Sequence, residues 1–176
     1  PRLDKHLILP SNQSPLGALP ARFRRPRVLI VGCGDVGLRA ARLLLPRVRV
    51  LALARTPAKA DALRAAGIVP LAGDLDDAAS LQRLAGLATQ VLHLAPPSGR
   101  DAGDARTAAL LAALAQRTPP QALVYGSTTG VYGDCAGAWV SESRPIAPRT
   151  PRAQARAAAE GHVRAFGRIT GARPRQ

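Results

Sequence analysis

From Arg27 onward the chain alternates short apolar runs with longer stretches in which apolar positions recur every three or four residues. The first pattern reads as strand and the second as amphipathic helix. Strands are predicted over 27–32, 48–54, 68–72, 90–95 and 121–126, and helices over 35–45, 57–66, 77–85, 102–117 and 150–166. The runs Val28–Val31, Val48–Leu53 and Val91–Leu94 are largely apolar, not strictly alternating, as expected of strands covered on both faces. Strand and helix in alternation predict βαβ units with right-handed crossovers, hence an α/β protein with a parallel, doubly wound sheet of about five or more strands. Residues 1–26 carry five prolines, a polar patch at Ser11–Ser14 and no sustained period, which predicts an extended or disordered leader before a single domain over 27–176.

Composition narrows the class. At 176 residues there is room for one domain with a substantial core, and with only 3% aromatics that core must be aliphatic. The formal charge of +14 would by itself suggest nucleic acid. Yet Lys5 and Lys59 are the only lysines, and arginine-for-lysine usage beside abundant alanine is what a GC-rich gene produces. The arginines are spread along the chain apart from Arg22, Arg24, Arg25 and Arg27, with no aromatic interleaved to stack on bases, so a nucleic-acid partner is not expected. Attraction to anionic ligands is the milder inference the charge supports. Cys33 and Cys135 make no disulfide framework and are expected to be reduced and non-catalytic, no metal is expected, and no apolar run approaches the ~20 residues of a membrane span. A cytoplasmic protein is the resulting expectation.

The chemistry sits just after the strands. Val28-Leu-Ile-Val31 runs into Gly32-Cys33-Gly34-Asp35-Val36-Gly37 and then into a helix, a G-x-G-x-x-G motif in strand–turn–helix context. Gly32 permits the tight turn, Gly34 lets backbone approach a pyrophosphate, and Gly37 lets helix and strand pack closely, while the helix N-terminus offers N–H groups to an anion. After the second strand, where a NAD site usually carries a carboxylate for the ribose 2′-hydroxyl, stand Arg55 and Thr56 with Lys59 a turn later. Charge-assisted bonds from Arg55 to a 2′-phosphate favour NADP over NAD. After the third strand, Asp74 is placed to accept from the adenine amine beside Leu75, and Asp76 or Asp77 to cap the next helix. Ala95-Pro96-Pro97 after the fourth strand forms a small-residue turn against the cofactor, and His93 reads as a core residue. The fifth strand enters Gly126-Ser-Thr-Thr-Gly-Val-Tyr-Gly-Asp134, three consecutive hydroxyls able to bind a substrate oxygen.

In this order, Val-Gly-Cys-Gly-Asp-Val-Gly, Gly-Asp-Leu-Asp, His-Leu-Ala-Pro-Pro and Gly-Ser-Thr-Thr-Gly-Val-Tyr-Gly-Asp resemble the short-chain dehydrogenase/reductase superfamily over about residues 27–166. The chain is most similar to its extended or atypical branch, the NAD(P)-dependent epimerase/dehydratase proteins that act on nucleotide sugars. The resemblance implies a three-layer Rossmann fold and places Thr128 where the family binds the reacting oxygen. It also implies that Tyr132 is mainly structural, with substitution as proton donor the alternative. The family's catalytic Tyr-x-x-x-Lys, followed by a Glu, aligns on Arg152, Arg156 and Glu160, so both catalytic identities are replaced. Arginine does not give up its proton readily enough to act as the tyrosine acid, although two arginines four apart on one helix face suit a phosphate or another anion. Family members continue into further strands and a small substrate domain, so the fifth strand is expected at a sheet edge unless something covers it. Helices 102–117 and 150–166 would pair across a two-fold axis in a homodimer. Two functions stay open: an NADP-linked oxidoreductase or epimerase acting on an unknown small molecule, and a non-catalytic cofactor sensor.

Overall fold

The computed structural model describes residues 26–98 and 103–175, so the predicted leader lies outside the described residues except for Pro26. The elements in chain order are β1 (Arg27–Val31), α1 (Asp35–Leu44), β2 (Arg49–Ala54), α2 (Pro57–Ala65), β3 (Val69–Ala72), β4 (Gln90–His93), α3 (Ala105–Ala115), β5 (Ala122–Tyr125), α4 (Pro151–Thr170) and β6 (Arg173–Arg175). Two 3₁₀ segments, Ala78–Leu84 and Thr129–Tyr132, lie between β3 and β4 and after β5. The six strands form one parallel sheet in the order β3-β2-β1-β4-β5-β6. This is the Rossmann order, with the topological switch between β1 and β4.

Strand periodicity divides the core between two faces. Val28 and Ile30 of β1 join Val50, Ala52 and Ala54 of β2 under α1 and α2, where Ala41 and Leu63 meet them. Leu29 and Val31 point the other way, with Leu51, Val91 and Leu123, onto the layer made by Leu81, Leu84, Leu110, Leu114, Val163 and Phe166. Each fully buried aliphatic side chain contributes about 1.5–3 kcal/mol, and because both faces of β1 are covered the strand is fixed in register.

Two expectations are corrected. The predicted 77–85 helix is a 3₁₀ segment: Leu81 and Leu84, three apart, bury on one side of it, and Asp77 caps it by accepting from the Ala79 N–H at 3.1 Å. The predicted edge position of β5 is taken by β6, which pairs Ala122 with Arg173 and Val124 with Arg175. Helix α4 ends at Gly171 in a left-handed conformation, φ 71°, which turns the chain back toward the sheet. Pro174 is tolerated because β6 is an edge strand with one side unpaired.

Candidate functional site

At the carboxyl ends of the strands the turn from β1 into α1 is built by its glycines. Gly32 has φ +88°, and a Cβ there would lie 2.3 Å from the Ala95 nitrogen. Only glycine fits that close approach of the β1 and β4 ends. A Cβ on Gly37 would meet the Gly32 carbonyl oxygen and Ile30 Cγ2, each at 3.2 Å, which is how tightly α1 packs on β1. Gly34 differs: a Cβ there would meet nothing within 4 Å. It is the N-cap of α1, and no side chain caps the helix, so the first turn's N–H groups face open space with the partial positive charge of the helix end behind them. A cradle that only a Cβ would fill suits a pyrophosphate.

That turn opens into a cleft of about 510 Å³. Gly32, Cys33, Gly34, Arg55, Asp74, Leu75, Ala95 and Pro96, all predicted site residues, line it. Lys59 lines it too, and among the described residues neither Arg55 nor Lys59 forms an ion pair. The remaining predicted residues are outside the lining. Asp35 is exposed and paired with Arg39 at 3.0 Å, Val36 is exposed, Gly37 packs, Pro97 is buried, and Thr56 caps α2 by accepting from the Lys59 N–H at 3.2 Å. Burial pushes the Cys33 thiol pKa up, with Lys59 opposing, so the sulfur stays protonated and unreactive.

Leu53, Gly73, Leu94 and Arg106 line the cleft without having been anticipated. The first three lie within one residue of the end of a predicted strand, so the rule that ligands sit at the carboxyl ends of strands would have found them. Arg106 is different, because it depends on Asp76. Asp76 does not cap a helix. It forks onto the Arg106 guanidinium, an alternative partner thirty positions away that local sequence does not show.

A second cleft of about 400 Å³ lies beyond β5, and no residue lines both. It brings Thr128 and Tyr132 together with Ser127, Glu142, Arg144, Glu160 and Arg164. Thr128 is the N-cap of the 3₁₀ turn and accepts weakly from Gly130 N–H at 3.4 Å. Gly133 closes the turn with φ +74°, a Cβ there falling 2.5 Å from the Ala147 carbonyl oxygen. Buried Glu160 accepts from Ser127 Oγ at 2.5 Å and from Arg164 at 2.9 Å.

The two arginines that the resemblance sets at the catalytic tyrosine and lysine positions part company. Arg152 is exposed, whereas Arg156 is buried and lines neither cleft. Beneath the clefts His93 is buried, as expected, with Nε2 2.8 Å from Thr107 Oγ1. Among the described residues no group of three His, Cys, Asp or Glu converges to hold a metal, and no helix is long and apolar enough to cross a membrane.

A parallel sheet with its glycine cradle at the switch point defines a dinucleotide-binding Rossmann domain. The chain belongs to the NAD(P)H-binding family, which it matches over residues 32–168. No curated protein matches it. Among solved structures it is similar to a putative epimerase from Burkholderia cenocepacia J2315, at 26% identity and TM-score 0.70, over 82% of this chain and 51% of that one. It is also similar to the UDP-glucose 4-epimerase of Thermus thermophilus in complex with NAD, at 26% identity and TM-score 0.69, over 84% and 53% of the two chains. A functionally unknown conserved protein from Silicibacter pomeroyi DSS shares 32% identity at TM-score 0.65, over 80% and 49%. The chain thus spans about half the length of these structures.

Proposed function

We propose that the larger cleft takes NADP in preference to NAD and serves an oxidoreductase or epimerase acting on a small polar substrate, of which nucleotide sugars are the class suggested by the similar epimerases. The observation that carries the cofactor choice is the end of β2. Arg55 and Lys59 line the cleft there as two cations without carboxylate partners among the described residues. A 2′-phosphate gains charge-assisted bonds at such a place, and a bare ribose hydroxyl does not.

Bound there, the nicotinamide would supply a hydride donor or acceptor. The chain's own residues divide the remaining work. Gly34 and the start of α1 hold the pyrophosphate, Arg55 and Lys59 the 2′-phosphate, and Asp74 accepts from the adenine amine. Leu75, Ala95 and Pro96 wall the site. In the neighbouring cleft Thr128 holds the reacting oxygen, and the Tyr132 phenol is the proton-bearing group beside it. Arg152 and Arg156 take no part in proton transfer, since an arginine stays charged at any relevant pH.

Titration of NADPH and NADH against the wild type and Arg55→Ala tests this. Loss of one salt-bridged phosphate contact should weaken NADPH about tenfold or more and leave NADH within about twofold. Equal affinities for the two cofactors, unmoved by the substitution, would overturn the NADP assignment.

A further inference from the structure

We infer that Arg106, held in place by Asp76, is a contact for the adenine base in the larger cleft and a determinant of its affinity for adenine nucleotides. The inference rests on the cofactor reading above.

Arg106 stands in the first turn of α3, whereas Asp76 belongs to the loop after β3. Arg106 Nε donates to Asp76 Oδ1 at 2.7 Å and Nη2 donates to Oδ2 at 2.5 Å, so the pair is a two-pronged fork; Nη1 donates to the Pro96 carbonyl oxygen at 3.4 Å. The side chains are only 20% and 37% exposed, and Arg106 itself lines the cleft. Three elements are thereby tied at one wall: the β3 loop, the turn after β4 and the start of α3. A fork of this kind fixes the plane of the guanidinium, which a single bond would leave free to turn.

The cleft therefore holds two sorts of cation. Arg55 and Lys59 have no carboxylate partner among the described residues, whereas the charge of Arg106 is balanced by Asp76 and three of its N–H bonds are committed. A balanced guanidinium with its donors engaged is a poor phosphate ligand. Its flat face still carries partial positive charge and stacks well on an aromatic ring. Around it the wall is apolar or weakly polar, with Leu75, Ala95 and Pro96, and Asp74 is oriented there by accepting from the Asp76 N–H at 3.0 Å. A flat cationic face, small apolar walls and one carboxylate acceptor are complementary to a purine carrying an exocyclic amine. The free cations take the phosphate and the balanced one takes the base.

The test measures dissociation constants for NADPH and for 2′,5′-ADP, and inhibition of NADPH binding by inorganic pyrophosphate, in the wild type, Arg106→Ala, Arg106→Lys and Asp76→Asn. Unliganded thermal unfolding is recorded for each. Arg106→Ala should weaken both adenine ligands by about fivefold to tenfold, the range of a partly desolvated cation–π contact, and leave pyrophosphate unchanged. Arg106→Lys keeps the charge but loses the fork and should be nearly as weak; Asp76→Asn should fall between. The dependence of NADPH affinity on salt should stay as in the wild type for Arg106→Lys, which keeps the charge opposite Asp76, and flatten for Arg55→Ala, which removes an unbalanced charge facing phosphate. If Arg106→Ala does not fold, Arg106→Lys and Asp76→Asn decide by the same readouts. Undiminished 2′,5′-ADP binding in the variants, or an equal loss on pyrophosphate, overturns this inference alone. A wild type that binds neither NADPH nor NADH overturns the cofactor reading and this inference with it.

Discussion

The guanidinium of Arg156 donates to the Tyr125 hydroxyl at 3.1 Å and lies 5.5 Å from the centroid of the same ring. Its Nη1 also donates to the Gly126 carbonyl at 2.6 Å, so this cation clasps the end of β5 to α4. Burial raises the Tyr125 pKa and Arg156 opposes that, which keeps the phenol neutral at physiological pH and available as the acceptor. Arg156→Met leaves the buried Tyr125 hydroxyl and the partly buried Gly126 carbonyl without this donor and should cost about 2–4 kcal/mol, with Arg156→Lys costing less because an ammonium can still reach one of them. Urea unfolding midpoints check this. A loss smaller than about 0.5 kcal/mol for the methionine variant would show the clasp to be dispensable.

The glycines of the β1–α1 turn separate folding from binding. Gly32→Ala adds a Cβ 2.3 Å from the Ala95 backbone at φ +88° and should prevent stable folding or lower stability by more than about 3 kcal/mol. Gly34→Ala meets nothing within 4 Å at φ −84°, so stability should hold within about 1 kcal/mol. The new methyl would still occupy the pyrophosphate cradle, and dinucleotide affinity should drop more than about tenfold. Calorimetry with NADPH on folded Gly34→Ala decides it, since wild-type affinity there would place the pyrophosphate elsewhere.

The sheet was legible because its information is local: β1, β2 and β4 are apolar on both faces, and each is followed by a helix pattern of the right length. β6 was not, since Arg173-Pro-Arg175 carries no strand pattern and is recruited through backbone pairing at an edge. Most of the candidate cofactor cleft could be read from the residues at the end of each strand. Arg106 and Arg156 could not. Whether an arginine is solvated or buried depends on partners 30 and 31 positions away, Asp76 and Tyr125, and the periodicity of one helix does not reveal them.

Thr128 and Tyr132 share a cleft but have different expected weights. The Thr128 hydroxyl accepts a long hydrogen bond in its turn, 3.4 Å from Gly130 N–H, so Thr128→Ala should lower stability by only about 0.5 kcal/mol. If it binds the reacting oxygen, hydride transfer from NADPH to carbonyl substrates should fall by a factor of about 10²–10³, and Thr128→Ser should recover most of it. Tyr132→Phe removes one proton-bearing group and should cost about 10²-fold or less. Isotope-labelled hydride transfer measures both. Wild-type protein that binds NADPH and shows no transfer would leave cofactor sensing as the function.

His93 makes stability fall on acidification. Thr107 Oγ1 donates to Asp104 Oδ2 at 2.7 Å, so at 2.8 Å from His93 Nε2 it must accept, and the neutral ring carries its proton on Nε2. Nδ1 is buried without a hydrogen-bond partner. Burial pushes the pKa down from 6.5 to about 4; Asp104 and the nearby Val31 carbonyl pull it up, and Arg156 pushes it further down. Above pH 6.5 the ring is neutral in folded and unfolded chains alike and contributes no pH dependence. Between 6.5 and about 4 the unfolded chain binds the proton and the folded one resists it, so stability drops as pH falls, by up to about 1.4 kcal/mol per unit and of order 3 kcal/mol in all. Below about 4 both states are protonated and this contribution levels off. Urea unfolding from pH 7.5 to 4.5, with His93→Gln beside the wild type, isolates the effect, because the other titrating groups are common to both. The wild type should start more stable and lose its lead as pH falls through the window; parallel curves would mean that His93 is protonated without cost in the folded chain.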